Sequence, residues 1–228
     1  MLTLFVIPKG GSPLRTRIRT TMQIITEPIR HTPGYRKLRR IQRLWTLRRR
    51  IRQIQPLNVV IGAGGTVFTD WVSTDLDLLD ITSPYDWQNI FRPESIDRLL
   101  AEHVLEHLSE AQCRAALGEC HRYLKPSGSL RIAVPDGYRR DFAYVAEVSP
   151  PKDGHKILLT IDTLKLLLET AGFRVTPLEW FDAQGLFHVS PWNENDGYVK
   201  RSLRFDRQIA FKRGKLFYTS LIVDAQKI

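Results

Sequence analysis

The sequence predicts an α/β fold: a mainly parallel sheet with helices on its faces and an antiparallel last strand, preceded by a basic helical arm. Three observations predict it. Short apolar runs that end on glycine or an acid alternate with longer amphipathic segments, the pattern of strand–helix repeats. The last two apolar runs have no helix between them, so they are expected as antiparallel neighbours. Basic charge is crowded into residues 1–55, which hold 14 of the 34 Lys and Arg and a single acid, Glu27, a balance of +13. The other 173 residues carry 20 basic and 23 acidic side chains, a balance of −3.

The arm is expected to span 1–55 and the main domain 56–228. Within the arm, Leu38, Ile41, Leu44, Trp45, Ile51 and Ile54 recur at three- and four-residue steps with Arg between them, which predicts a helix from Tyr35 to Gln55. Pro56 ends it. Residues 8–34, with four prolines and three glycines, read as loose.

Beyond Pro56, Leu57 to Ile61 reads as a buried strand running into the glycine turn Gly62-Ala63-Gly64-Gly65. Trp71 to Thr74 is expected as a second strand closing on Asp75, and Ile96 to Ala101 as a third closing on Glu102. A helix is expected from His103 to Leu108. A second, opened by Ser109 with Gln112 three residues on, should run to Leu124. Leu130 to Val134 forms a strand closing on Asp136. Asp162 is expected to cap a helix that Gly172 terminates. Phe173 to Trp180 and Leu216 to Ala225 are the last strands, and 181–213 is a long connection.

Composition sets further bounds. No apolar run reaches the 18 residues or so that a spanning helix needs, and the short apolar start Met1–Ile7 lacks the flanks of a secretory signal. Cys113 and Cys120 lie seven apart on one expected helix, roughly 10 Å along its axis, too far for a disulfide. Free thiols fit a reducing cytoplasm.

Ligands of open α/β sheets bind beyond the carboxyl ends of the strands. Those ends carry the glycine turn, Asp75, Glu102-His103 and Asp136. Glycines let a ligand approach bare main chain. A carboxylate ending the second strand suits the two hydroxyls of a ribose, each such bond contributing about 1.5–3 kcal/mol. A nucleoside-bearing ligand is the expectation.

Ser95-Ile96-Asp97-Arg98-Leu99-Leu100-Ala101-Glu102-His103-Val104-Leu105-Glu106-His107-Leu108 resembles the fourth strand and following helix of class I S-adenosylmethionine-dependent methyltransferases of the small type 11 kind. Leu124-Lys125-Pro126-Ser127-Gly128-Ser129-Leu130 resembles their lead into the next strand, and Val134-Pro135-Asp136 its exit. Asp153-Gly154-His155-Lys156 and Glu169-Thr170-Ala171-Gly172-Phe173 resemble later segments. The resemblance covers Leu57 to Gln226 and implies a Rossmann-like methyltransferase fold.

It also implies S-adenosylmethionine as cofactor, with its methionine part against Gly62, Ala63, Gly64 and Gly65, its ribose on Asp75 and its adenine near Asp80 and Ile81. Glu102 and His103 would border cofactor and acceptor. Two departures stand out. Val60 occupies a position where the family often has an acid, and only Thr66 to Asp70 fill the place of the usual first helix. The implied reaction is methyl transfer to a small-molecule, sugar or lipid-linked acceptor, the sequence choosing none of these. His103, Asp136 and His155 are the candidate bases, with His188 further off. The alternative is a non-catalytic scaffold that docks through its basic arm.

Other readings compete. His103-Val104-Leu105-Glu106-His107 matches an H-x-x-E-H metal string, but no third ligand on a downstream helix is evident, and no metal is predicted. Cys113, Cys120 and His121 lack a C-x-x-C pair. Trp71 reads as core. Trp192 is an acceptor-site candidate, and Phe181, Phe187, Trp192 and Tyr198 suggest that 181–213 closes over the acceptor. For residues 36–55, the apolar stripe either packs on the domain or meets an anionic membrane or partner. No nucleic-acid motif accompanies the charge. A cytoplasmic protein, at most peripheral to a membrane, is expected.

Overall fold

The computed structural model describes residues 32–65, 68–205 and 220–228. The expected loose segment before Thr32, part of the glycine loop at Thr66 and Val67, and the stretch 206–219 with the expected start of the last strand lie outside the described residues. The chain divides into two compact units, Met1–Trp45 and Thr46–Ile228, and the expected boundary at Pro56 falls after that division.

Helix α1 (Pro33–Ile51) crosses the division. Proline is tolerated in its first turn, where an N–H would lack an intrahelical partner. Its last turn carries Arg48, Arg49 and Arg50, favourable at the negative end of the helix dipole. In the second unit Arg48 Nε donates to the Asn89 carbonyl at 2.7 Å and Arg50 to that of Trp71 at 3.0 Å.

The second unit is built on one seven-stranded sheet of order β2-β1-β3-β4-β7-β5-β6. The strands are β1 (Asn58–Ile61), β2 (Val72–Ser73), β3 (Ile96–Glu102), β4 (Leu124–Val134), β5 (Phe173–Phe181), β6 (Phe187–Val189) and β7 (Leu221–Lys227). The first four are parallel, Val59 pairing with both Val72 and Leu99. β7 runs antiparallel between β4 and β5, and β6 antiparallel to β5. β1 is buried at every position, as in parallel sheets covered on both faces, and has a neighbour on each edge. The chain leaves β1 toward β2 on one side and returns to β3 on the other. The carboxyl ends of β1 and β3 therefore form the topological switch point.

Among the described residues the unit has the helices α2 (Pro84–Ile90), α3 (Glu110–Tyr123), α4 (Phe142–Val148) and α5 (Ile161–Thr170), and residues 203–205 are also helical. α3 begins as expected. Ser109 accepts from the Gln112 amide and Gln112 bonds back to the Ser109 amide. Its inward face buries Cys113, Ala116, Leu117 and Cys120, and both cysteines are free thiols. Burial pushes Cys113 up to about 11 and Cys120 to about 12, so neither is a nucleophile at neutral pH.

Several expectations need correction. There is no helix over His103–Leu108. Glu102 ends β3, His103 adopts a left-handed φ of 55° while its N–H bonds the Ala133 carbonyl, and a single 3₁₀ turn, Leu105–His107, leads to Ser109. His103 and His107 thus do not share a helical face. α5 is capped by Thr160, reciprocally with Thr163, because Asp162 instead accepts the Tyr138 hydroxyl. α2, α4 and β6 have no counterpart among the expected elements. Trp71 is buried with Val60, Leu100, Leu178 and Ile222, as expected of a core residue.

Among the described residues no helix is long and apolar enough to cross a membrane.

Candidate functional site

β1 delivers the chain into a turn that only bare main chain accommodates. Gly62, Gly64 and Gly65 have φ of 62°, 55° and 80°, the left-handed region that side chains disfavour. A Cβ at Gly62 would lie 2.6 Å from Val104 Cγ2, so this glycine is also needed for close packing. At Gly64 and Gly65 a Cβ would meet nothing within 4 Å. There the turn faces open space.

β2 is short, but its pairing with β1 fixes the position of Thr74 and Asp75 beyond its end. The Thr74 amide and hydroxyl both donate to the Val60 carbonyl at 2.8 Å, and Ala63 N–H returns a bond to the Thr74 carbonyl. Asp75 is thereby held against the glycine turn. Its carboxylate accepts from Gly64 N–H at 3.1 Å and Leu76 N–H at 2.8 Å. A carboxylate has about four acceptor positions, so half remain for a ligand.

Over this turn opens a cavity of about 380 Å³, lined among others by Gly62, Ala63, Gly64, Phe68, Glu102 and His103. That volume lies within the roughly 300–1,000 Å³ of small-molecule sites. Glu102 does not point free into it. Its two oxygens accept the backbone N–H groups of Arg201 (2.9 Å) and Lys200 (3.2 Å), and these two residues form another wall.

His103, also on the wall, is held at both ring nitrogens. Nδ1 lies 2.8 Å from Glu106 Oε1 and Nε2 lies 3.0 Å from Ser220 Oγ. The Glu106 side chain is only 1% exposed. A histidine backed by a buried carboxylate, with its other nitrogen toward a hydroxyl, has the base–orienter geometry of proton-transfer sites.

The remaining candidates lie elsewhere. Asp80 accepts both the amide and hydroxyl of Thr82, and Ile81 is buried with its carbonyl bonded by Trp87 Nε1. Asp136 is fully buried and outside the cavity lining. Its oxygens accept Phe181 N–H at 2.7 Å and Tyr138 N–H at 3.0 Å. His155 Nδ1 meets the Val148 carbonyl at 2.7 Å. His188 stacks on Trp180 and pairs with Asp182 at 2.6 Å. Trp192 donates to Glu179 and lines a second cavity of about 400 Å³ with Pro191, Leu203 and Phe205.

Asp136 carries a testable electrostatic signature. Burial pushes its carboxyl from 3.8 up to about 6, with the two amide donors and Arg139 acting in the opposite direction. It therefore holds a proton more tightly folded than unfolded. Its contribution to stability is complete below about pH 3.8 and fades as pH rises through about 6, a difference of about 3 kcal/mol. A ¹³C carboxyl titration should give Asp136 a midpoint near 6; a midpoint below 4 would contradict this.

The family model described as "Methyltransferase domain" matches residues 81–132, from the end of the Asp75–Asp80 turn through β3 and α3 into β4. That match covers 52 of the 228 residues. A SAM-dependent methyltransferase from Archaeoglobus fulgidus is 18% identical, with a TM-score of 0.47 over 90% of this chain and 99% of that one. One from Mesorhizobium loti is 12% identical, with a TM-score of 0.42 over 78% and 96%. No curated protein sequence matches the chain.

The glycine turn, Glu102 and His103 line one cavity, and Asp75 lies outside that lining, bonded to the turn through Gly64 N–H. Phe68, Lys200, Arg201 and Ser220 are the residues that sequence reasoning missed. Phe68 sits in the short glycine loop, and the other three come from the long connection and the foot of β7. No periodicity marks them.

Proposed function

We propose that the chain binds S-adenosylmethionine in the cavity over the glycine turn and transfers its methyl group to a small acceptor carrying an exchangeable proton. The observation that supports this best is Asp75, which lies just beyond β2 and leans on the Gly64 amide beside exposed main chain. Bare glycines let a ligand approach the backbone, and the spare oxygens of Asp75 would accept the ribose hydroxyls. Asp80 and Ile81 come directly after and would border the adenine. Bound there, the cofactor supplies a methyl group on an already activated sulfonium.

The chain's own contribution is positioning and proton removal. Glu106 holds His103 by Nδ1, which leaves Nε2 to take the acceptor's proton, directly or through Ser220 Oγ. Asp136 and His155 act as positioning residues. Asp136 ties the exit of β4 to Phe181 at the end of β5. Glu102 anchors the Lys200–Arg201 wall.

Calorimetry with S-adenosylmethionine tests the reading. Saturable binding is expected for the wild type, and Asp75→Ala should raise Kd by about a hundredfold or more, since two hydrogen bonds to a charged group are lost. Equal binding by both proteins would refute the assignment of Asp75.

Residues 33–51 hold eight Arg and Lys and no acid, with Leu38 and Ile41 each 54% exposed. We propose that this helix contacts an anionic surface, a membrane in the first instance. The full chain should sediment with vesicles containing phosphatidylserine at low salt and release at high salt. Equal binding to neutral vesicles, or none to either, would contradict it.

A further inference from the structure

We propose that Glu106, His107 and His155 form a binding site for a divalent cation of the zinc class, beside the cofactor cavity and linked to its wall through the Glu106–His103 pair. One ligand atom from each of the three lies within 4.8 Å of the other two. Ligand atoms around a tetrahedral zinc stand ~3.3 Å apart, from bonds of about 2.0–2.1 Å. Small rotations of the two rings would close the set.

Three features turn proximity into a site. The first is Glu106. Its Oε1 pairs with His103, but Oε2 is buried with no hydrogen-bond partner among the described residues. A buried carboxylate oxygen left unsatisfied is costly, and a cation would relieve that cost.

The second is His155. Its Nδ1–H donates to the Val148 carbonyl at 2.7 Å, which fixes the ring and leaves the Nε2 lone pair available. Metal-binding histidines are oriented in this way by a carbonyl on the far nitrogen. His107 stands edge-on to that ring, with centroids 4.9 Å apart.

The third is the backbone. The Glu106 carbonyl accepts from Lys156 N–H at 2.7 Å and Ile157 N–H at 3.3 Å, which clamps the segment carrying His155 onto the 3₁₀ turn carrying Glu106 and His107. The Lys156 ammonium is drawn away to Gln112 Oε1. His107 is the exposed member, so a fourth position would open to water. Two histidines and a glutamate with one open position is a recognised zinc ligand set.

Cation binding can be read without methyl transfer, although Glu106 also holds His103 and both Glu106 and His155 serve in that reading. The full chain, stripped with a chelator, would be titrated with Zn²⁺ against a chromophoric competitor and separately with Co²⁺. One equivalent is expected, with the intense visible absorption of tetrahedral cobalt. His107→Gln, at an exposed ring, and His155→Ala should each weaken affinity at least about a hundredfold while far-UV circular dichroism stays native. Absence of saturable binding by the wild type would overturn the proposal. So would binding retained in the His107→Gln/His155→Ala double variant. Calorimetry with S-adenosylmethionine on the same samples reads the cofactor cavity separately.

Discussion

Asp224→Ala is expected to lower the unfolding free energy by about 3 kcal/mol. Arg131 is fully buried in β4, and Asp224 faces it from β7 with two bonds of 2.7 Å, from Nε and a terminal nitrogen. The remaining terminal nitrogen donates to the carbonyls of Asn193 and Gly197, and the guanidinium lies 4.8 Å over the Trp192 ring. Removing one partner of a buried pair strands the other charge, at a cost of about 3–5 kcal/mol. The partial exposure of Asp224 places the value at the lower end. Urea denaturation checks the loss, and an Arg131→Met/Asp224→Leu double variant should recover much of it. Equal destabilisation by single and double variants would show that the pair matters for shape and not for charge.

His103→Asn is expected to reduce turnover by about 10²–10⁴-fold while leaving cofactor affinity nearly unchanged. Asparagine suits the left-handed backbone that His103 adopts. The substitution therefore removes the imidazole with little change in the main chain. The readout is S-adenosylhomocysteine release with any acceptor that supports turnover. A drop in affinity matching the drop in rate would make His103 a wall of the cofactor cavity and not a base.

The fold was legible wherever a strand end or a cap has a local cause. The glycine turn, the acid after β2 and the Ser109–Gln112 box are all short-range statements of backbone chemistry, and each stands where the sequence puts it. The helix expected over His103–Leu108 failed because its apolar pattern serves a different geometry. Leu105 is buried from a 3₁₀ turn, and His103 is pinned by a long-range bond to Ala133.

The geometry of the candidate site was half legible for the same reason. Asp75 and His103 lie at strand ends and announce themselves. The partners of His103 come from Glu106, which reads as an ordinary helical acid, and from Ser220, 117 residues away. The buried pair of Arg131 and Asp224 depends on the register between β4 and β7, which no local pattern encodes.

Amide chemical-shift mapping with S-adenosylhomocysteine bears most directly on the central claim, that a nucleoside cofactor settles on the rim made by the ends of β1 and β2. Saturating ligand should move the resonances of Gly62, Ala63, Gly64 and Leu76 most, with Cys120 on the far helix unmoved. If the ligand leaves the glycine turn unperturbed, or shifts only residues remote from it, the account is contradicted.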